Sequence, residues 1–204
     1  MSYSEPGYSA HFTVDTSEVL LVALYLRDCS GLQGVGSPAL PPVVPSVRRA
    51  ETRRLTEPVG GPGTLKVEWE AWWHSLLRHR ISDAVLPVPP RLEALDGMEA
   101  LKALMRAHFG AATAWAEERC AEYALHSGAR GADTMEHLLA RILEERELEL
   151  GRTARHFSLQ IVELPLGVHR AWWVEPDKLL MCQELFDDER SFRSYVEPVV
   201  KMLA

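Results

Sequence analysis

Residues 157–164 read FSLQIVEL, and the fold class turns on them. Apolar and polar side chains alternate along most of the stretch, which is the period of a β-strand with one buried face. Downstream, RAWWVEPDKLLMCQEL (170–185) holds two more short β-rich runs around a turn at Glu175–Pro176–Asp177. The expectation is a three-stranded antiparallel meander. It is followed by a C-terminal helix with Phe192, Tyr195, Val196, Val199, Val200 and Leu203 on one face, which Pro198 should kink or restart.

Upstream of Phe157 the period is helical. Leu65, Trp69, Trp72, Trp73, Leu76 and Leu77 form one continuous stripe, with Thr64 as the expected N-cap. A capping box, Asp96 with Glu99, opens a helix running through Leu101, Met105, Ala112 and Trp115 towards Gly128. Another, Asp133 with Glu136, opens the next, whose stripe is Met135, Leu138, Leu139, Ile142 and Leu143, with Gly151 beyond its end. Joined through SGARGA, these two read as a long αα-hairpin. Nearer the N-terminus, the run VLLVALYL (19–26) reads as a buried helix from about 17 to 29, with Asp15 and Glu18 as a capping box and Gly31 as the C-terminal stop. The class expected is therefore α+β: a mostly helical body, consisting of the αα-hairpin and a Trp-rich helix, with a small antiparallel three-stranded meander near the C-terminus and a C-terminal helix.

Three regions are expected. Residues 1–30 form an N-terminal element packed on the core, and 64–204 form the main α+β domain. Between them, residues 31–63 hold twelve of the chain's twenty-six glycines and prolines, the composition of a linker or flap.

The bulk numbers exclude several roles. An eight-residue apolar run is the longest in the chain, far short of the ~20 residues of a membrane span. Three widely spaced cysteines (Cys29, Cys120, Cys182) suit reduced thiols, and no secretory leader is visible, so a cytoplasmic location is expected. A net charge of −7 argues against nucleic acid and anionic membranes. The one basic cluster, RRAETRRL (48–55), has no interleaved aromatics to stack bases. Acid concentrates in residues 133–150 and 175–197, either as solvated faces or as a docking surface for a partner with a basic surface.

Signatures for phosphate cradles, nucleophile elbows, HExxH and CxxC are absent, so no catalytic residue and no cofactor is assigned. Two sets of candidates remain. Trp69, Trp72 and Trp73 at helical spacing suit a core but would also suit a stacking platform, whereas the adjacent Trp172 and Trp173 must point to opposite faces of a strand, so one can enter the core while the other faces solvent, the second side of the sheet or a partner. The second set is polar: Glu118, Glu122 and His126 share a helix face at i, i+4, i+8, and with His74 and His108 they are the groups from which a ligand or metal site between helices would be built. The function expected is a soluble non-catalytic protein-interaction factor of accessory, regulatory or immunity type. The alternative is a small-ligand or metal-dependent enzyme with a Trp-lined pocket.

Overall fold

A computed structural model describes residues 2–3, 10–78, 80, 83–174 and 176–204. The fold is α+β, with helices predominating. The chain divides into two compact units, one of Met1–Thr16 with Glu122–Ala204 and the other of Ser17–Ala121. None of the described helices is long and apolar enough to cross a membrane.

In the first unit, five strands form one mixed sheet: β1 (Ser2–Tyr3), β2 (Ala10–Asp15), β3 (Phe157–Leu164), β4 (Ala171–Val174) and β5 (Lys178–Cys182), in the order β1-β2-β3-β5-β4. The expected antiparallel meander is corrected here. β3 runs parallel to both β2 and β5, with Val14 beside Ile161 and Ile161 beside Leu179, and only β1 and β4 are antiparallel to their neighbours. From β3 the chain passes over the position of β5, descends as β4 at the edge, and returns as β5 through the gap. The physical reason is burial. All five residues of β5, KLLMC, are buried, four of them apolar after Lys178, and such a run belongs in the middle of a sheet covered on both faces. The alternating AHFTVD of β2 finds its partner about 150 positions downstream, a separation that periodicity does not report.

Two helices complete this unit, α5 (Ala132–Leu150) and α6 (Glu189–Leu203). Their buried stripes are Leu138, Leu139, Ile142 and Leu143 on one, and Phe192, Val196, Val199 and Val200 on the other. Asp188 caps α6 by accepting from the amides of Arg190 and Ser191, and the helix carries on through Pro198 as one element. Much of the acid on these helices is spent within the molecule. Glu145 and Glu197 both meet Arg193, Glu149 meets Arg146 and Lys201, and Glu189 meets Arg141. N-terminal to α5 stands Gly131, which makes no side-chain cap; the Asp133 capping box lies outside the described side chains, and residue 175 of the expected turn lies outside the described residues.

The second unit is built on α1 (Glu18–Cys29), a helix buried nearly all round, as its eight-residue apolar run requires. Ser17 caps it, accepting from Leu20 N at 3.4 Å, in place of the expected Asp15, which is held in β2 by pairing with Val162. Gly31 ends it at φ 72°, with Leu32 N donating to Arg27 O and Gly31 N to Asp28 O, the paired bonds of a Schellman stop. Next come a single turn, α2 (Arg53–Thr56), and α3 (Gly61–Arg78), which starts three residues before the expected cap at Thr64. α4 (Glu99–Arg130) runs unbroken past Gly110 and on through Ser127–Arg130, so only Gly131 separates it from α5. Its start is held by α3: Glu68 Oε2 accepts from Leu101 N at 2.8 Å, the role expected of Asp96, whose carboxylate instead meets Lys102.

Within residues 31–63 the chain is stitched to α1 and α3. Arg27, only 2% exposed, donates to Leu40 O and Pro41 O, and Asp28 accepts from Val43 N. The amide of Gly36 donates to Glu70 at 3.3 Å. Gly36 also shows how closely this segment sits on the core. At φ 90° it lies against the rings of Trp69 and Trp73, which stack 5.4 Å apart at 12°. A Cβ there would stand 3.1 Å from Trp73 and 3.3 Å from Trp69. Gly36→Ala is therefore expected to destabilise the protein by about 2–4 kcal/mol through the backbone strain and the overpacking together. The check is a lowered midpoint of urea unfolding at unchanged slope; an unchanged midpoint would contradict this packing.

Candidate functional site

The tryptophans of α3 are core. Trp69, Trp72 and Trp73 are 0%, 4% and 1% exposed, and Trp69 Nε1 donates to Ala23 O at 2.8 Å. Trp172 and Trp173 lie on β4 as adjacent strand residues, and both are partly buried. Trp172 pairs with Leu180 and lies under the guanidinium of Arg170 at 5.7 Å, while Trp173 pairs with Leu179 and its buried indole N–H meets no acceptor.

The polar set does not converge as a metal centre. Among the described residues no three His, Cys, Asp or Glu side chains gather in a way that could hold a metal ion. His74 and Glu118 are exposed and His108 partly buried, all three in the Ser17–Ala121 unit, and Glu118 pairs with Arg119. Glu122 and His126 belong to the sheet-bearing unit, where His126 Nδ1 meets Gln183 Nε2.

β4 is one edge of the sheet, and among the described residues no strand lies beyond it. Arg170 O accepts from Cys182 N, which sets the alternation of the ladder. Residues 172 and 174 then bond inward to β5, and the N–H and C=O of Ala171 and Trp173 point outward. Beside the start of β4, His169 Nε2 meets Glu184 Oε2 at 2.7 Å, with both side chains exposed.

A second constellation, absent from the sequence candidates, lies at the carboxyl ends of β2 and β3, where open parallel sheets place their ligands. Its centre is Glu163, only 3% exposed. Carboxylate Oε2 accepts from Arg130 Nη2 at 2.7 Å, whereas Oε1 is buried with no hydrogen-bond partner. The backbone carbonyl of Glu163 accepts from Thr16 Oγ1 at 2.9 Å. Arg130 is the last residue of α4; its Nε donates to His126 O, and its plane lies 4.8 Å from the ring of Phe186. Tyr123, Ser127 and Arg130 share one face of α4 at i, i+4, i+7 because the helix persists to Gly131. Tyr123 donates its phenol proton to Val14 O at 3.0 Å and is hydrogen-bonded by Ser127. Between these groups is a cavity of about 20 Å³, room for one water-sized guest, lined by Val14, Tyr123, Ser127, Arg130, Glu163 and Phe186, with Gly131 and Met135 beside them.

Burial dominates the electrostatics. It pushes the Glu163 carboxyl up to about 7, with Arg130 opposing and Asp187 adding to the rise. It likewise pushes the Tyr123 phenol up to about 12, helped by the negative charge of Asp15 and opposed by the Ser127 hydrogen bond. The sequence signal that could have found this site is a single Glu inside IVELPL, a carboxylate in a run that otherwise asks to be buried.

A titration follows from Glu163. Its folded-state value near 7 lies above its ordinary 4.5, so the native protein holds a proton that the unfolded chain releases between them. This contribution to stability is fully present below about pH 4.5 and is lost as the pH rises through about 7. Glu163→Gln keeps the shape without the titration. Between pH 5 and 8 the wild type should lose up to about 3 kcal/mol relative to the variant, measured by urea unfolding of both. Parallel pH curves would show that Glu163 does not titrate in this range.

Comparison of the chain with protein-family models, with characterised proteins and with solved structures finds no match.

Proposed function

We propose that this protein is a non-catalytic binding factor, of accessory, regulatory or immunity type, that takes an extended segment of another protein along the outer edge of β4. The observation that carries this reading is the edge itself: outward backbone groups at Ala171 and Trp173, beside two partly buried indoles. Strand addition satisfies such groups, and side chains alternating along the incoming strand supply specificity. Indoles at a margin of this kind offer apolar area at low entropic cost. A partner carrying basic residues suits the surroundings, since Glu184 and Asp187 are exposed just beyond β5. The acidic faces of α5 and α6 are less suited to lead, because many of their carboxylates already meet arginine or lysine within the chain.

The test is a backbone edit at the edge. Ala171→Pro removes an outward N–H while leaving the bonds between β4 and β5 in place. A photo-crosslinking residue at position 173, used in the native host, should capture a defined partner, and the same probe combined with Ala171→Pro should lose it. Capture unaffected by the proline, or no capture at all, would overturn strand addition.

A further inference from the structure

We propose that the cavity beside Glu163 is a receptor for a protonated amine, with the ammonium ion as its smallest member and the tip of a primary alkylammonium as a larger one. This site is independent of the strand edge. Three observations carry it.

The first is an orphan. Glu163 is almost fully buried and lines the cavity, yet one of its carboxylate oxygens has no hydrogen-bond partner. A buried carboxylate oxygen left unpaired is costly, so the position asks for a guest that donates.

The second is that the hydroxyl hydrogens around the cavity are already committed, and so are two of the N–H groups of Arg130. Tyr123 donates to Val14 O, and the Ser127 hydroxyl is engaged with the Tyr123 oxygen. Arg130 spends Nη2 on the far oxygen of Glu163 and Nε on His126 O, with its face over Phe186. What remains is acceptor capacity at Glu163 Oε1 and on the lone pairs of Ser127 Oγ, beside the other N–H groups of Arg130. An anion or a carbonyl oxygen could take an N–H of Arg130 only by standing against the unpaired oxygen of Glu163. An ammonium group, all donor and close to water in size, finds what it needs.

The third is charge. From β2 comes Asp15, from β3 Glu163, and from the turn after β5 Asp187; α4 contributes Arg130 and the neutral Tyr123. Three carboxylates against one guanidinium leave the neighbourhood negative once Glu163 is ionised, and this favours a cation over the neutral water that would otherwise fit. The aromatic face of Phe186 is a further wall to which a cation is not averse. Proton and ammonium compete for the same oxygen, so occupancy belongs to the alkaline side of neutrality.

The experiment uses the full chain and thermal unfolding at pH 8, in chloride salts of ammonium, methylammonium, potassium and tetramethylammonium at equal ionic strength. Ammonium at roughly ten times its Kd should raise Tm by about 4 °C, with potassium and tetramethylammonium giving no rise. A rise with methylammonium as well assigns the site to amine tips; a rise with ammonium alone assigns it to the free ion. Glu163→Gln should abolish the effect. Ser127→Ala, a milder change that keeps the carboxylate, should reduce it, and wild type at pH 5 should show little of it. Equal Tm in all four salts, an equal rise with potassium, or a rise that survives Glu163→Gln would overturn the proposal.

Discussion

The parallel pairing of β2 with β3 is the constraint on which the sheet-bearing unit rests. Ala10–Asp15 lies in register with Phe157–Leu164, so two segments near opposite ends of the chain must meet before the middle of the sheet exists. Closing so long a loop costs entropy that grows only slowly with its length, but parallel strands so far apart cannot nucleate locally. Once made, the pairing brings Val14, Asp15 and Thr16 beside the end of β3. Thr16 then bonds the backbone of Glu163, and Val14 supplies the carbonyl that orients Tyr123. Without β2 in that register, Glu163 would be a carboxylate at a strand end facing water.

Glu163 is consequently a costly residue to bury, and its neighbours reveal how the cost is met. A buried carboxylate next to one guanidinium is weak evidence for stability, because desolvation consumes much of the attraction. Here the ion pair is lopsided: one oxygen is matched by Arg130 and the other is not. A structural tether would have been served as well by a well-packed apolar pair. The second oxygen is left without a partner in a residue that lines a small void.

Much of the architecture was legible in the sequence, and the failures have physical causes. Helices with wide apolar stripes were readable because their period survives in one strand of text: Trp69, Trp72, Trp73 and Leu76 on α3, and Leu138, Leu139, Ile142 and Leu143 on α5, are buried as that period requires. Glycines also signalled correctly where φ is positive, as at Gly31 and Gly151. Caps were less readable, since they depend on competition. Asp15 was claimed by a strand, and the N-terminus of α4 was satisfied by Glu68 from another helix. Strand neighbours were unreadable: AWWV and KLLMC disclose two strands but not that the second returns inside the first. Of the candidate site, the position of Trp172 and Trp173 on a strand was visible, whereas the Glu163 cluster was not. That cluster assembles from β2, β3, α4 and the turn after β5, and it announces itself only as one acidic letter in an apolar run.

The brevity of β4 has a consequence for the solution behaviour of the molecule. An exposed sheet margin invites copies of a chain to stack without end, and long flat margins are the seeds of fibres. β4 spans four residues, and only two of them turn their amides and carbonyls outward, flanked by the paired side chains of His169 and Glu184 and by Arg170 lying on Trp172. A margin of that length is too short to template polymerisation, whatever pairs with it.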